Sequence, residues 1–530
     1  MFFTSYEFIG FFVLLLVLYY IIPKKWQWGL LLAASYLFYF AANPVYLFYI
    51  SATTVLTYAA ARLIERNLVR QRIYLQEHKE ELGREEKKEY KNGQKVIRRR
   101  WLILGLILVL GILAVSKYTN FLISNLNSVL NIFGQTWQIS FVNLILPLGI
   151  SFYTFQAVGY MIDVYREDVP AEKNIFRYAL FVSFFPQLIQ GPISRFGDLS
   201  ETLWNEHPFN GENVRHGLMR MLWGYFKKMV VADRILTAVS LIIGDPDTYH
   251  GAYALIGMIF YTIELYADFT GGIDITIGIA QTLGIRVKEN FMRPYFSKSL
   301  KEYWRRWHIS MCTWFKDYVF YPVSVSKGMQ KISKAAKAHL GAKAGRRLPV
   351  YLSSFIVWLA TGIWHGASWN FVVWGLLNWA VLMISEELEP LYQKFHDRFS
   401  IGQSRGYRLF QVGRTFLLIC VLNLFDCFEA VTTTLRMLLS IFVTPNWGIF
   451  TDGSLLALGL TVTDYVILFI GVLIMLTVSL LQRKGSVRKK IDHWHYPIRA
   501  AVWFGLFLLV LLWGTYGIGY DASQFIYNRF

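Results

Sequence analysis

The chain has 530 residues, 55% of them hydrophobic and 17% aromatic, with a formal net charge of +18. A soluble protein of this length would divide into several domains with polar surfaces, and the apolar residues here are too many and too clustered for that. Three cysteines, Cys312, Cys420 and Cys427, supply neither a disulfide framework nor a C-x-x-C metal spacing, and no metal site is predicted.

Taken in chain order, residues 8–22, 26–42 and 45–61 predict three membrane spans in quick succession. The first has no basic stretch before it and no A-x-A site after it, so it reads as a retained helix and not as a cleaved signal. Residues 62–100 carry 13 Lys/Arg and 7 Asp/Glu at helical spacing, which predicts a solvated cytoplasmic helix pair broken at Gly83. Spans follow near 101–116 and 142–162, with a weakly amphipathic stretch at 119–140 between them. Residues 176–193 are apolar but interrupted by Pro186, Gly191 and Pro192, the pattern of a broken or partly inserted helix. Further spans are predicted near 216–243 and 252–284.

The segment 290–323 differs. Ser299 and Glu302 form a capping box, so a helix is expected to start there. Trp304, Trp307, His308, Met311, Trp314, Phe315 and Tyr318 then fall on one helical face, predicting a single amphipathic helix lying in the interface. Residues 325–348 hold 7 Lys/Arg and no acid, and read as a basic cytoplasmic loop. From Val350 to Ser385 there is no Asp, Glu, Lys or Arg over 36 residues, too long for one crossing. A break is expected at Gly362 and Gly366, which flank Trp364 and His365. Spans near 407–424, 430–443, 454–481 and 497–517 complete an all-α, polytopic fold of about eleven or more membrane segments, read as one integral-membrane domain over 1–530.

The basic stretches lie directly beside apolar spans, so the positive-inside rule places them in the cytoplasm, against anionic lipid, with the N-terminus outside. Docking of an acidic, phosphate-bearing donor is the other use for them; nucleic acid is not an expected partner. Of ten histidines, His308 and His365 stand in tryptophan-rich apolar sequence. An ionisable residue at membrane depth is a functional hypothesis by default, although a lone histidine on an apolar face is more often structural.

The stretches NFMRPYFSKSLKEYWRRWHIS…WFKDYVFYP and GIWHGASWNFVVWG resemble the signature segments of the membrane-bound O-acyltransferase superfamily. The bacterial branch, with the alginate O-acetylation membrane subunit and the teichoic acid D-alanyl transfer protein, is the most similar. KYTNF, LPLGISFYTFQ, FFPQLIQGPISRF, YADFTGGIDITIGIAQTLGIRVKENF and the terminal FIYNRF support the likeness. DFTGGID departs from the branch pattern at Gly272-Ile273. Helix packing and a polar network are the expected roles of Asp268 and Asp274.

The resemblance implies a ring of helices around a thin central floor, with a cytoplasmic and an outer funnel, and a catalytic segment within 290–385. By the same resemblance His365 is the catalytic residue and His308 assists. Trp304, Arg305, Trp307, Trp364, Asp317 and Asn370 are candidate substrate-binding residues. Acyl transfer from a thioester to a hydroxyl needs a base, and an imidazole suits it. Gly362 and Gly366 are expected to let backbone approach the substrate. Cys312, one turn after His308, is expected to be a small buried residue and not a covalent relay.

No resident cofactor is expected; acetyl-CoA is the expected donor. An exported polysaccharide is the expected acceptor, with an extracytoplasmic acetyltransferase partner. Three alternatives remain: D-alanyl transfer from a carrier protein, a transporter without chemistry, and a non-catalytic scaffold. The expected location is the cytoplasmic membrane.

Overall fold

A computed structural model describes residues 1–399, 402, 404–517, 519–522 and 524. The aromatic stretch at 525–530 lies outside them. Every regular element among the described residues is helical, as the apolar periodicity predicts. With no water to satisfy its polar groups, backbone at bilayer depth is stable only when it bonds internally. Among the described residues eight helices are long and apolar enough to cross a membrane, and two shorter apolar helices accompany them. Eleven or more segments are reached only by counting short and broken apolar helices with these.

The chain packs as two compact units. The first comprises Met1–Arg215 with Ile279–Lys288. It opens on α1 (Tyr6–Ile21), α2 (Gln27–Ala42) and α3 (Tyr46–Glu77), close to the three expected spans. The charged segment is helical on both sides of a break, and Gly83 caps the start of α4 (Arg84–Ile132). The expected span at 142–162 begins only at α5 (Ile150–Arg166). Gly149 adopts φ +68° there, and a Cβ on it would run into the Leu188 carbonyl. Residues 176–193 are broken as expected: α6 (Ile175–Ser183) gives way to α7 (Phe185–Gln190), with Pro186 in the new first turn. Next comes α8 (Phe196–Leu203).

The second unit comprises His216–Gly278 and Glu289–Phe530. The helix α9 (Gly211–Tyr225) passes through a π-helical stretch, Phe226–Ala232, into α10 (Asp233–Gly244). These residues lie against α11 (Ala252–Thr282). A Cβ on Gly224 would meet the Gly271 carbonyl at 2.6 Å, so the backbones touch. That approach brings buried charges together. Lys227 pairs with Asp274 at 2.6 Å, and Lys228 with Asp268 at 2.5 Å and Asp233 at 2.7 Å. Arg220 bridges Asp274 and Glu289. Asp268 and Asp274 are thus members of a polar network, as expected.

The single interfacial helix expected from Ser299 to Tyr318 does not form. The chain makes α12 (Leu300–Trp304), breaks, and resumes as α13 (Ile309–Phe315), followed by a π-helical stretch, Lys316–Phe320, and α14 (Tyr321–Ser324). The break is at His308, in the left-handed region at φ +44°. Ser299 caps α12 through the Glu302 N–H, while the Glu302 carboxylate reaches the Lys298 N–H instead of closing the box.

The basic loop expected at 325–348 is helical too, forming the start of α15 (Lys327–His365), which kinks at Gly341. The uncharged run divides where expected: α15 ends at His365 and α16 (Trp369–Arg398) begins four residues later. Then follow α17 (Arg405–Asn423), a short 3-10 turn at Leu424–Asp426 and α18 (Val431–Val443). The last helices are α19 (Val462–Leu481), α20 (Val487–Asp492) and α21 (Tyr496–Trp513).

Candidate active site

His365 is the last residue of α15, at the turn of the α15–α16 hairpin. A Cβ on Gly362 would collide with the Phe371 carbonyl, and one on Gly375 with the Trp358 carbonyl. A Cβ on Gly366 would strike the Phe371 ring. These glycines let two helices touch; the backbone they expose faces a neighbouring helix and not a substrate. The His365 ring is half-buried, 4.6 Å from Trp374 and 5.0 Å from Trp364.

His308 arrives from the α12–α13 break. It is fully buried, with Phe269 edge-on at 4.9 Å and Trp364 at 6.1 Å. Trp364 therefore touches both histidines. A non-glycine residue in the left-handed region costs about 1–3 kcal/mol and persists only where neighbours enforce it. Asn290 supplies that enforcement. Its carbonyl accepts from the Ile309 N–H at 3.0 Å, and its Oδ1 accepts from the Ser310 N–H and hydroxyl, both at 2.9 Å. Three such bonds, at about 0.5–1.5 kcal/mol each, offset the strain.

The same residue fixes the chemistry of His308. A backbone N–H can only donate, so the Asn290 atom facing Ser310 is the oxygen, and its NH2 faces the imidazole. That NH2 donates to His308 Nδ1 at 3.2 Å. An amide NH2 cannot accept, so Nδ1 is an acceptor and the neutral ring carries its proton on Nε2. Burial, and then repulsion from His365, hold the His308 imidazole well below its ordinary pKa and so neutral.

A cavity of about 20 Å³ is lined by Leu265, Phe269, Tyr303, Trp304, Trp307, His365, Trp374, Asn423 and Asp426. It has room for one water or one hydroxyl. Trp304 also walls a larger apolar cavity of about 260 Å³, with Met311, Cys312, Phe315 and Trp358. Its indole N–H donates to Asn378 Oδ1 at 3.1 Å, which holds the ring between the two spaces.

Of the residues singled out in the sequence, His365, Trp304 and Trp307 line the small cavity, and Trp364 joins the two histidines. Arg305 is exposed, and Asp317 sits in the π-helical stretch, 3.9 Å from Lys316. Neither contributes to the cavity wall. Asn370 is buried, and its NH2 goes to the Phe428 carbonyl and, at 3.3 Å, to Thr434 Oγ1. Cys312 donates its thiol to the Trp307 carbonyl, and burial pushes it up to about 12, so no thiolate forms near neutral pH.

Asn290 and Asp426 are missed by the sequence reading. The signal for Asp426 is plain in retrospect: a carboxyl inside the apolar run LNLFDCF. Asn290 carries none beyond its polarity.

Both histidines, Asn290 and Asp426 fall within residues 170–428, which match the sequence profile described as MBOAT, membrane-bound O-acyltransferase family. A probable alginate O-acetylase of Azotobacter vinelandii is 34% identical over 391 residues, 73% of this chain and 69% of that protein. The chain belongs to the membrane-bound O-acyltransferase family. It is a multi-pass membrane enzyme that transfers an acyl group to oxygen. A peptidoglycan O-acetyltransferase of Helicobacter pylori is 33% identical over 56% of this chain and 58% of its own length. A teichoic acid D-alanyltransferase of Bacillus subtilis is 26% identical over 52% of this chain and 68% of that one.

Proposed function

We propose that this acyltransferase moves an acetyl group from a cytoplasmic thioester, acetyl-CoA, to a hydroxyl of an exported or cell-surface polysaccharide. The observation that carries the mechanism is the division of labour between the two imidazoles. His308 is held as an Nε2–H donor by Asn290 and is spent as a base at Nδ1. His365 lines the hydroxyl-sized cavity and is left to take the proton.

In this reading the thioester arm enters by the larger cavity and reaches His365 past Trp304. The acceptor oxygen gives its proton to His365 as it bonds to the carbonyl carbon, and the developing oxyanion is assigned to the N–H of His308, which is buried beside Trp364 and does not itself line the small cavity. The carbon–sulfur bond then breaks and the thiolate recovers the proton. General base catalysis of this kind contributes about 10² to 10⁴ in rate. Relatives that act on alginate and on peptidoglycan, each described as transferring acetyl to oxygen, support acetyl as the group moved and a polysaccharide as the acceptor. D-alanyl transfer is the second reading, supported by the weaker likeness to the Bacillus subtilis protein.

The proposed location is the cytoplasmic membrane, with the basic segments 62–100 and 325–348 inside and the N-terminus outside, on the strength of the positive-inside rule. An extracytoplasmic acetyltransferase is the proposed partner. Purified enzyme in nanodiscs, given acetyl-labelled coenzyme A and isolated cell-wall polysaccharide, tests the reading. Free coenzyme A and labelled polymer are expected. Turnover only with a D-alanyl carrier protein would overturn the acetyl assignment.

A further inference from the structure

Asp426 is the carboxyl that the mechanism so far leaves unused. It ends the short turn after α17 and lines the 20 Å³ cavity together with His365 and Trp374 of the α15–α16 hairpin. What brings it there is Asn370. Five residues after His365, the Asn370 side chain holds the Phe428 carbonyl, two residues after Asp426, and the Thr434 hydroxyl. The turn bearing the carboxyl is thereby tied to the turn bearing the imidazole. No hydrogen bond or ion pair from another described residue reaches the Asp426 carboxyl, whereas three acids on α10 and α11 of the same unit, Asp233, Asp268 and Asp274, are each paired with lysine or arginine.

A carboxylate in a largely apolar wall without a cationic partner is costly, and a cation formed in the working cycle would offset that cost. The remaining wall of the cavity is apolar or neutral: Leu265 and Phe269 on α11, Tyr303 and Trp304 on α12, Trp307, Trp374 on α16 and Asn423 on α17. Its titratable groups are His365, Tyr303 and Asp426, and His308 interacts with His365 from the α12–α13 break. The cation that can arise against Asp426 is the His365 imidazolium.

We propose that Asp426 is a positioning residue of this site, whose carboxylate faces the hydroxyl-sized cavity and balances the charge of the His365 imidazolium. The proton comes from the acceptor hydroxyl as its oxygen bonds to the thioester carbon, rests on His365 while the tetrahedral centre stands, and leaves with the thiolate. This rests on the assignment of His365 as base.

The test is a histidine titration that needs no substrate. Enzyme labelled with carbon-13 at histidine Cε1 is titrated in detergent, the His365 signal being the one lost in His365→Gln. Wild type and Asp426→Asn are compared, with Asp426→Ser used if the first variant fails size exclusion. Loss of the carboxylate is expected to lower the His365 midpoint by at least about one pH unit, since an opposite charge nearby favours the imidazolium. Coenzyme A release is expected to fall at least about tenfold. An unchanged midpoint, or none in either protein, overturns the inference. If instead His365→Gln keeps full turnover, the assignment of the base has failed, and the titration reports separately on the pairing.

Discussion

Asn290 and His308 are bound through Nδ2 and Nδ1 at 3.2 Å, and this one contact decides which nitrogen of a buried imidazole can act. Replacing Asn290 with Asp keeps acceptors for both Ser310 groups but removes the donor facing the ring. His308 is then expected to move its proton to Nδ1, and turnover to fall at least about tenfold while the protein still elutes as a monodisperse species. Nitrogen-15 NMR of the imidazoles reads the tautomer directly. A variant with full activity and the proton on Nδ1 would show that the donor is not needed.

Asn290→Ala removes the clamp altogether. The Ile309 backbone bond survives, but the half-buried Ser310 groups and His308 Nδ1 lose the bonds that the Asn290 side chain supplies, at about 0.5–1.5 kcal/mol for each bond. Thermal unfolding in detergent is expected at a clearly lower temperature than for wild type or Asn290→Asp.

Stability is also expected to depend on pH through His308. In the unfolded chain its imidazole takes a proton near about pH 6.5, while in the folded protein it does so only well below that value. Between the two, the unfolded state binds more protons, so this contribution is complete above about pH 6.5 and is lost as pH falls. Melting temperatures measured from pH 7.5 down to 5 are expected to decline less steeply in His308→Gln than in wild type.

Cys312 lies close to the site but is held as a neutral thiol. Cys312→Ala is expected to keep turnover within about threefold, and the wild-type thiol to resist alkylation at pH 8. Loss of activity with accumulation of an acyl-cysteine would restore the covalent relay.

Gly362 and Gly375 carry the hairpin that presents His365. Gly362→Ala drives a methyl group into the Phe371 carbonyl and is expected to cost about 1–3 kcal/mol, seen as a lower melting temperature, with activity falling because His365 is displaced.

Much of this architecture is legible in the sequence because bilayer depth leaves few choices. A 36-residue uncharged run with glycines at 362 and 366, near its middle, must be a hairpin, and it places His365 at the turn. Gly83 and Pro186 break helices where they stand. The aromatic spacing from Trp304 to Tyr318 misled, since a perfect helical face was interrupted by one left-handed residue. Nothing local to His308 announces that break, which is imposed by Asn290, 18 residues earlier. The pairing of Lys227 and Lys228 with Asp274 and Asp268 was equally out of reach, because it depends on how Gly224 and Gly271 let two helices meet. Asp426 was within reach: an acid in apolar sequence has the same standing as the histidine that drew attention.

The most direct measurement is single-turnover release of coenzyme A from acetyl-CoA by nanodisc-embedded wild type, His365→Ala and His308→Gln. With His365 as base, His365→Ala is expected to lose at least about a hundredfold, and His308→Gln, whose amide still donates, to retain a larger share of the rate. If His365→Ala turns over at the wild-type rate while His308→Gln is inactive, the roles assigned to the two histidines are wrong.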